Sequence, residues 1–256
     1  MPLKEVAPML ENPTIQKLRD MRLGVMAQML ADPDKALLEL TFEERLSIMV
    51  ENEWLSKKNG KIKRLINNAA FNTNASIEDI DYGDYRKIDK HLIRTLATCS
   101  YIEQKLNVLI TGKTGSGKSF LSCALGSQAC RREYAVKYYR IPELLINLEY
   151  AKSENRYHKF LRLFEKYKLL ILDDFGAKIY DQEECRDLLE LADRRYNKAS
   201  TIIVSQLPVE KWYELFPDPT AADAFLDRII HNAYDMPLDS TVSLREVMAK
   251  QTLNLN

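Results

Sequence analysis

The chain has 256 residues, room for one large domain or for a small domain beside a standard one. Lys and Arg together number 37, and so do Asp and Glu. A chain balanced in this way has no overall basic field to hold nucleic acid, so any such contact needs a local patch. Cys99, Cys123, Cys130 and Cys185 form no CxxC pair and have no His cluster beside them. That argues against a zinc site or a disulfide framework and for reduced thiols in a cytoplasmic protein. The opening MPLKEVAPMLENP carries acids and prolines where a signal peptide needs an apolar core. No apolar run approaches the roughly 20 residues of a membrane span, so no membrane partner is expected.

In chain order, the first elements read as helices. Asn12-Pro13 is a start signal, a capping residue followed by proline at the first helical position. Ile15, Leu18, Met21, Val25, Met29 and Leu30 then recur at helical spacing. Thr41 with Glu44 predicts a capping box. Leu46, Met49, Val50 and Trp54 form the stripe of a second helix, with Trp54 expected in the core. Gly60 interrupts, and Ile62, Leu65, Ile66 and Ala69 resume a helical pattern. Residues 71–86 are rich in Asn, Asp and Ser and read as a linker. They divide a small all-helical N-terminal domain, residues 1–75, from a second domain, residues 76–256. From about residue 88 the texture alternates between strand and helix. Short apolar strands fall at 106–111, 135–139, 169–173 and 201–205. One helix follows the first strand to about 132, another opens at Pro142-Glu143, and a third runs from a capping box at Asp181 and Glu184 through Tyr196. Continuous apolar strands separated by helices predict an α/β fold, a parallel sheet covered on both faces.

Residues 112–119 read GKTGSGKS, a full match to the P-loop pattern, with an apolar strand before and a helix after. Gly112, Lys113, Thr114, Gly115, Ser116 and Gly117 form a loop whose backbone N–H groups can point inward at phosphate, and the helix N-terminus adds partial positive charge. Lys118 is placed to reach the β- and γ-phosphates of ATP, the Ser119 hydroxyl to ligate Mg²⁺, and Phe120 ends the nucleotide-binding stretch. LLILDD supplies the acids at a neighbouring strand end: Asp173 for the magnesium, mostly through water, and Asp174 to orient or deprotonate the attacking water. The strand at 201–205 ends in Ser205-Gln206, a polar tip able to hydrogen-bond that water or the γ-phosphate.

ITGKTGSGKS, LLILDDFG, TIIVSQLPVEKW and DAFLDRIIHNAYDMPL stand in this order at family-like spacings. Through them the chain resembles the IstB/DnaC-like branch of the AAA+ ATPases, nearest the IstB helpers of insertion-sequence transposition. LRDMRLGVMAQML, LTFEERLSIMVENEW and SIEDIDY extend the resemblance into the helical N-terminal part. SQLPVEKW and DRIIHNAYDMPL discriminate the family, because the phosphate loop is common to many NTPases. The resemblance implies an AAA+ ATPase with Ser205 at the sensor-1 position and Gln206 as its fallback. It further implies Arg228 as the arginine finger offered to a neighbouring subunit and Arg245 as the sensor-2 arginine; should Arg228 prove not to be the finger, Arg194 or Arg195 is the next candidate. Guanidinium groups near the γ-phosphate would offset charge as the bond breaks. The last motif, Leu238 to Arg245, lacks the glycine and the extra basic residues usual there.

Lys57, Lys58, Lys61, Lys63 and Arg64 crowd into eight residues without an acid, and Lys17, Arg19 and Arg22 make a smaller group. Such patches suit sequence-independent contact with duplex DNA. Together with the resemblance they imply a homo-oligomer that assembles on DNA with ATP, selects a target and recruits a transposase. A loader of a replicative helicase and an ATP-binding scaffold with little hydrolysis are the alternatives.

Overall fold

The computed structural model describes residues 13–83, 86–240 and 243. The chain resolves into two units, Met1–Lys63 and Arg64–Asn256.

The first unit is helical: α1 (Pro13–Asp20), α2 (Gly24–Ala31), α3 (Lys35–Leu38) and the start of α4 (Phe42–Ala69). Thr41 and Glu44 form the capping box of α4, with the Thr41 N–H donating to Glu44 at 2.9 Å and the Glu44 N–H donating back to the Thr41 hydroxyl at 3.4 Å. Helix α2 has no capping side chain of its own. Its cap comes from Glu53 on α4, a buried carboxylate that accepts the Val25 and Met26 N–H groups at 2.8 and 3.1 Å. The orphan donors of a helix N-terminus and its positive dipole end both favour a carboxylate there. Two expectations need correction. Gly60 does not interrupt: α4 runs through it, because a single glycine costs a helix only about 1 kcal/mol and the lysines around it, Lys57, Lys58, Lys61 and Lys63, are good helix formers. Trp54 is not core: it stands 53% exposed with the Lys58 ammonium 4.7 Å from its ring centre, on a stripe with half-exposed Leu46 and Val50.

The second unit is built on six strands: β1 (Arg86–Lys87), β2 (Asn107–Gly112), β3 (Val136–Arg140), β4 (Leu169–Phe175), β5 (Ser200–Ser205) and β6 (Ala233–Ser240). Their order is β1-β6-β2-β5-β4-β3, with β6, β2, β5, β4 and β3 parallel and β1 antiparallel to β6. The helices are α5 (Lys90–Ala97), α6 (Ser100–Glu103), α7 (Lys118–Arg131), α8 (Ile141–Ser153), α9 (Tyr157–Phe164), α10 (Gln182–Arg195) and α11 (Pro219–Ile230). Strand residues alternate between two cores. Val108, Ile110, Ile171, Ile202 and Val204 face α5 and α7, while Leu109, Leu170, Leu172 and Ile203 face α8 to α11. Both faces are therefore covered, as parallel sheets require.

The apolar strands form where the sequence places them, and β1 and β6 are additions. Strand β6 holds Pro237, which lacks an N–H, yet it pairs with β2 along Asn107–Gly112. Proline is tolerated because β1 covers only Asp239 and Ser240, so at Pro237 the strand is an edge. The described part of the expected linker, residues 71–83, is packed. Ala75 and Ile80 are buried, and Phe71, Ile77 and Tyr82 pack on the core beside α7. A side chain on Gly126 of α7 would meet the Phe71 ring at 2.6 Å and Ile171 at 2.8 Å, so this glycine lets the helix, the segment and the sheet close up.

All four cysteines are buried free thiols. Burial pushes Cys99, Cys123 and Cys185 up to about 11 and Cys130 to about 12. At pH 8 only about one thiol in 10³ or fewer is then the reactive thiolate. Native protein is expected to resist iodoacetamide at pH 8, whereas urea-unfolded protein should take four labels within minutes; mass spectrometry reads the count.

Candidate functional site

Strand β2 lies inside the sheet between β6 and β5, and its C-terminal end feeds the glycine loop. In open α/β sheets this end of the strands is where ligands bind. Gly112, Gly115 and Gly117 have φ of +148°, +81° and +86°. A Cβ at Gly112 would sit 2.2 Å from the Leu238 carbonyl, and one at Gly115 2.5 Å from the Ser243 hydroxyl. At Gly112 only glycine allows this approach of backbone to backbone, and at all three positions the positive φ favours glycine. Helix α7 begins at Lys118 with Gly117 as its cap and no capping side chain, the arrangement in which a helix N-terminus can take a phosphate. Lys118 folds back over the loop, donating to the Lys113 carbonyl at 2.8 Å, and is 7% exposed.

The two acids stand at the end of β4, at a register break in its pairing with β5. Leu172 pairs with Ile203 and Phe175 with Ser205, leaving Asp173 and Asp174 out of that ladder. Asp174 has φ +58°, a left-handed backbone that Asp adopts more readily than most residues. Asp173 is buried. Its Oδ1 accepts the Asp174 N–H at 2.8 Å and its Oδ2 accepts the Tyr138 hydroxyl at 2.7 Å. Burial, and then the Asp173 charge, hold the Tyr138 proton on well above the ordinary phenol range. The Arg140 Nε donates to the Asp174 Oδ2 at 2.7 Å. Tyr138 and Arg140 are thus site residues that the sequence reading missed: two positions of β3, i and i+2, meet the two acids. No motif announces them, because the pairing exists only across strands.

One cavity of about 410 Å³ joins these groups, lined by Thr114, Gly115, Gly117, Lys118, Ser119 and Phe120 together with Asp173, Asp174, Ser205 and Gln206. Ser119 and Asp173 offer hard oxygen donors of the kind magnesium takes, beside the glycine cradle and Lys118 for phosphate. Thr73, Asn74, Asp79 and Asp81 complete the wall, so the segment read as a linker also lines the pocket. Ser205 is buried, and its hydroxyl is engaged on both sides: it donates to the Phe175 carbonyl at 2.8 Å and accepts the Leu207 N–H at 3.1 Å. The polar group reaching the glycine loop from β5 is Gln206, whose Oε1 accepts the Thr114 hydroxyl at 2.7 Å.

Arg228 lies outside this cavity, in the last turn of α11. Its guanidinium rests on Asp193 of α10, and its carbonyl faces Asn107 at the opposite end of β2. Arg195 is no substitute finger. It is 3% exposed and donates to the Phe164, Tyr167 and Ser200 carbonyls and to the Thr201 hydroxyl, which makes it a structural cross-link. Arg194 is bridged to Glu165 and Glu190. Arg245 lies outside the described residues. Lys57, Lys58, Lys61, Lys63 and Arg64 all fall on α4, where Lys57, Lys61 and Arg64 share one stripe at i, i+4 and i+7. Lys57 also bridges Glu53 at 3.7 Å.

The family model for IstB-like ATP binding protein matches residues 16–250. An insertion-sequence ATP-binding protein of Sinorhizobium fredii is 39% identical over 93% of this chain and 97% of its own. The ATP-binding protein of insertion sequence IS21 from Pseudomonas aeruginosa is 31% identical over 76% of this chain and 74% of its own. Among solved structures, DnaI superposes with a TM-score of 0.56 at 18% identity, covering 69% of this chain and 93% of that one. AMPPCP-bound DnaA from Aquifex aeolicus gives 0.55 at 16% identity, covering 73% of this chain and 57% of that one. These two likenesses establish the AAA+ fold. No helix among the described residues is long and apolar enough to cross a membrane.

Proposed function

Since the chain belongs to the family of IstB-like ATP binding proteins, we propose that it is a helper ATPase of DNA transposition. In this reading it assembles with copies of itself on duplex DNA, selects a target, recruits a transposase and hydrolyses ATP to reset the assembly. One observation carries the enzymatic part: Lys118, Ser119, Asp173 and Asp174 converge on a single cavity at the C-terminal ends of the strands. The loop N–H groups and Lys118 bind the phosphates, and Asp174 orients the attacking water. Magnesium, held by Ser119 and by Asp173 largely through water, would neutralise phosphate charge. Gln206 contacts the phosphate end of the site from β5, with Ser205 fixing the strand tip beneath it. Arg228 completes the site of a neighbouring subunit after leaving Asp193.

Steady-state phosphate release with and without duplex DNA tests the reading. A folded protein that binds ATP and never releases phosphate in either condition overturns the ATPase assignment.

DNA is held mainly through phosphates by the α4 stripe, so binding should depend strongly on salt and little on sequence. Changing Lys57, Lys61 and Arg64 together to Gln is expected to flatten the slope of log K against log salt by about three units, near 0.9 for each phosphate no longer neutralised. Fluorescence anisotropy with a labelled duplex at several salt concentrations reads it. An unaltered slope moves the DNA contact off α4.

A further inference from the structure

The torsion that sets the plane of an aspartate carboxylate is broad, so the plane is fixed only where donors reach both oxygens. Both oxygens of Asp173 are reached. Oδ1 accepts the Asp174 N–H at 2.8 Å from the next residue, and Oδ2 accepts the Tyr138 hydroxyl at 2.7 Å from β3. The second contact crosses strands. Tyr138 pairs with Ile171, so Asp173 stands two residues further along β4 on the same face. That face is turned to α7, the helix that opens at Lys118 and Ser119, and Tyr138 and Ile171 pack in the core beneath it with Leu121, Ala124 and Leu125. The tyrosine is buried there, so its hydroxyl reaches the acid from a fixed place. Among the described residues that line the cavity Asp173 is present and Tyr138 is not, so the tyrosine acts through the acid.

The chemistry of the contact matters as much as its place. A carboxylate oxygen accepts more than one hydrogen bond, so each Asp173 oxygen keeps a lone pair for a metal-bound water. The hydroxyl carries no charge. A Lys or Arg at position 138 could also hold the carboxylate, but it would bring a positive charge beside the magnesium, and like charges a few ångströms apart oppose each other strongly away from bulk water. A neutral donor fixes the acid and leaves its charge for the cation.

We infer that Tyr138 is a positioning residue for the metal site: it fixes the plane of the Asp173 carboxylate and so sets how strongly magnesium tightens ATP binding. The inference rests on the reading above in one respect, the assignment of Asp173 to magnesium. Donors behind a metal ligand commonly contribute about 10- to 100-fold to metal affinity. Because Asp173 is read as acting mostly through water, the lower end of that range is expected here.

The test is ATP affinity by isothermal titration, without DNA, in EDTA and again in excess magnesium chloride. The ratio of the two affinities is the readout, because damage to the pocket as a whole weakens both alike. The proteins are the wild type, Tyr138→Phe, Asp173→Asn and the Tyr138→Phe/Asp173→Asn double variant. Phenylalanine keeps the ring and its packing, and circular dichroism checks the fold. Tyr138→Phe is expected to lower the magnesium ratio about ten-fold while affinity in EDTA stays within about two-fold of the wild type. In the Asp173→Asn background the Tyr138→Phe change should leave the ratio where it is, since the carboxylate it orients has gone. An unchanged ratio in Tyr138→Phe overturns the inference, and so does an equal loss of affinity in EDTA and in magnesium, or a further fall of the ratio in the Asp173→Asn background. If Asp173→Asn itself keeps the wild-type ratio, the metal reading of Asp173 fails instead, and the role of Tyr138 with it.

Discussion

Replacing Lys118 with alanine is expected to abolish tight ATP binding and leave the fold intact. Lys118 is 7% exposed, and its ammonium donates to the Lys113 carbonyl within the same loop. Losing a bond of that kind costs about 1 kcal/mol of stability, within the reserve of an ordinary domain. The loss in binding is larger. Two charge-assisted hydrogen bonds to the β- and γ-phosphates contribute roughly 1.5–3 kcal/mol each, so affinity should fall about 10²- to 10⁴-fold. Isothermal titration reads the affinity, and circular dichroism reads the fold. Wild-type protein should also melt at a higher temperature in saturating MgATP, because a ligand that binds only the native state stabilises it. The variant should show no such shift. A folded Lys118→Ala protein with unchanged affinity would take the phosphates off this loop.

The legible parts of the fold were those written in contiguous residues. NVLIT, LLILD and TIIVS are apolar because each strand is covered on both faces, and burial on both faces leaves an unbroken apolar run. The capping boxes at Thr41 and Asp181 could be read because their partners stand three residues apart. Strand β6 could not: its fully buried residues reduce to Met236 and Leu238 around a proline, and it becomes a strand only because β2 offers a free edge. Residues 71–83 look like a linker by composition, yet Phe71, Ile77, Ile80 and Tyr82 dock on the core while the polar residues between them turn the chain and line the cavity. Trp54 shows the limit of periodicity. Its spacing marks a stripe on α4 without saying what faces that stripe. At the site, GKTGSGKS and LLILDD are each local, so their residue types could be read before their geometry. Tyr138 and Arg140 acquire meaning only from the β3–β4 register, which sets Arg140 beside Asp173 and brings both side chains to the acids. The commitment of the Ser205 hydroxyl to the Phe175 carbonyl arises in the same way, from a contact between strands.

Arg228→Ala is expected to bind ATP normally and to hydrolyse almost none of it, and mixing it with Asp174→Asn should restore activity. Arg228 sits in the last turn of α11, outside the cavity that Lys118 and the two acids line, so its loss leaves the chain's own pocket intact. In the single chain its guanidinium rests on Asp193, a partly exposed partner it can leave for a phosphate presented by a neighbour. An arginine supplied in trans contributes roughly 10³- to 10⁵-fold to the rate in other P-loop enzymes, so the loss should be of that order. Asp174→Asn should fail differently. Asn tolerates the left-handed backbone found at position 174 as well as Asp does, and Asp173 keeps its contacts, so ATP binding and assembly should persist while hydrolysis slows. Each variant then keeps what the other lacks: Asp174→Asn subunits offer an arginine, and Arg228→Ala subunits offer a working pocket. In an equimolar mixture on DNA about a quarter of randomly formed junctions pair the two intact halves, so phosphate release should recover to about that fraction of the wild-type rate if a trans-acting arginine sets the rate. Recovery that rises as subunits exchange, followed in a coupled phosphate assay, marks a shared site. Wild-type hydrolysis by Arg228→Ala alone on DNA removes Arg228 from the role. Arg194 is then the residue to test, because Arg195 is locked into the core by three carbonyls and a hydroxyl.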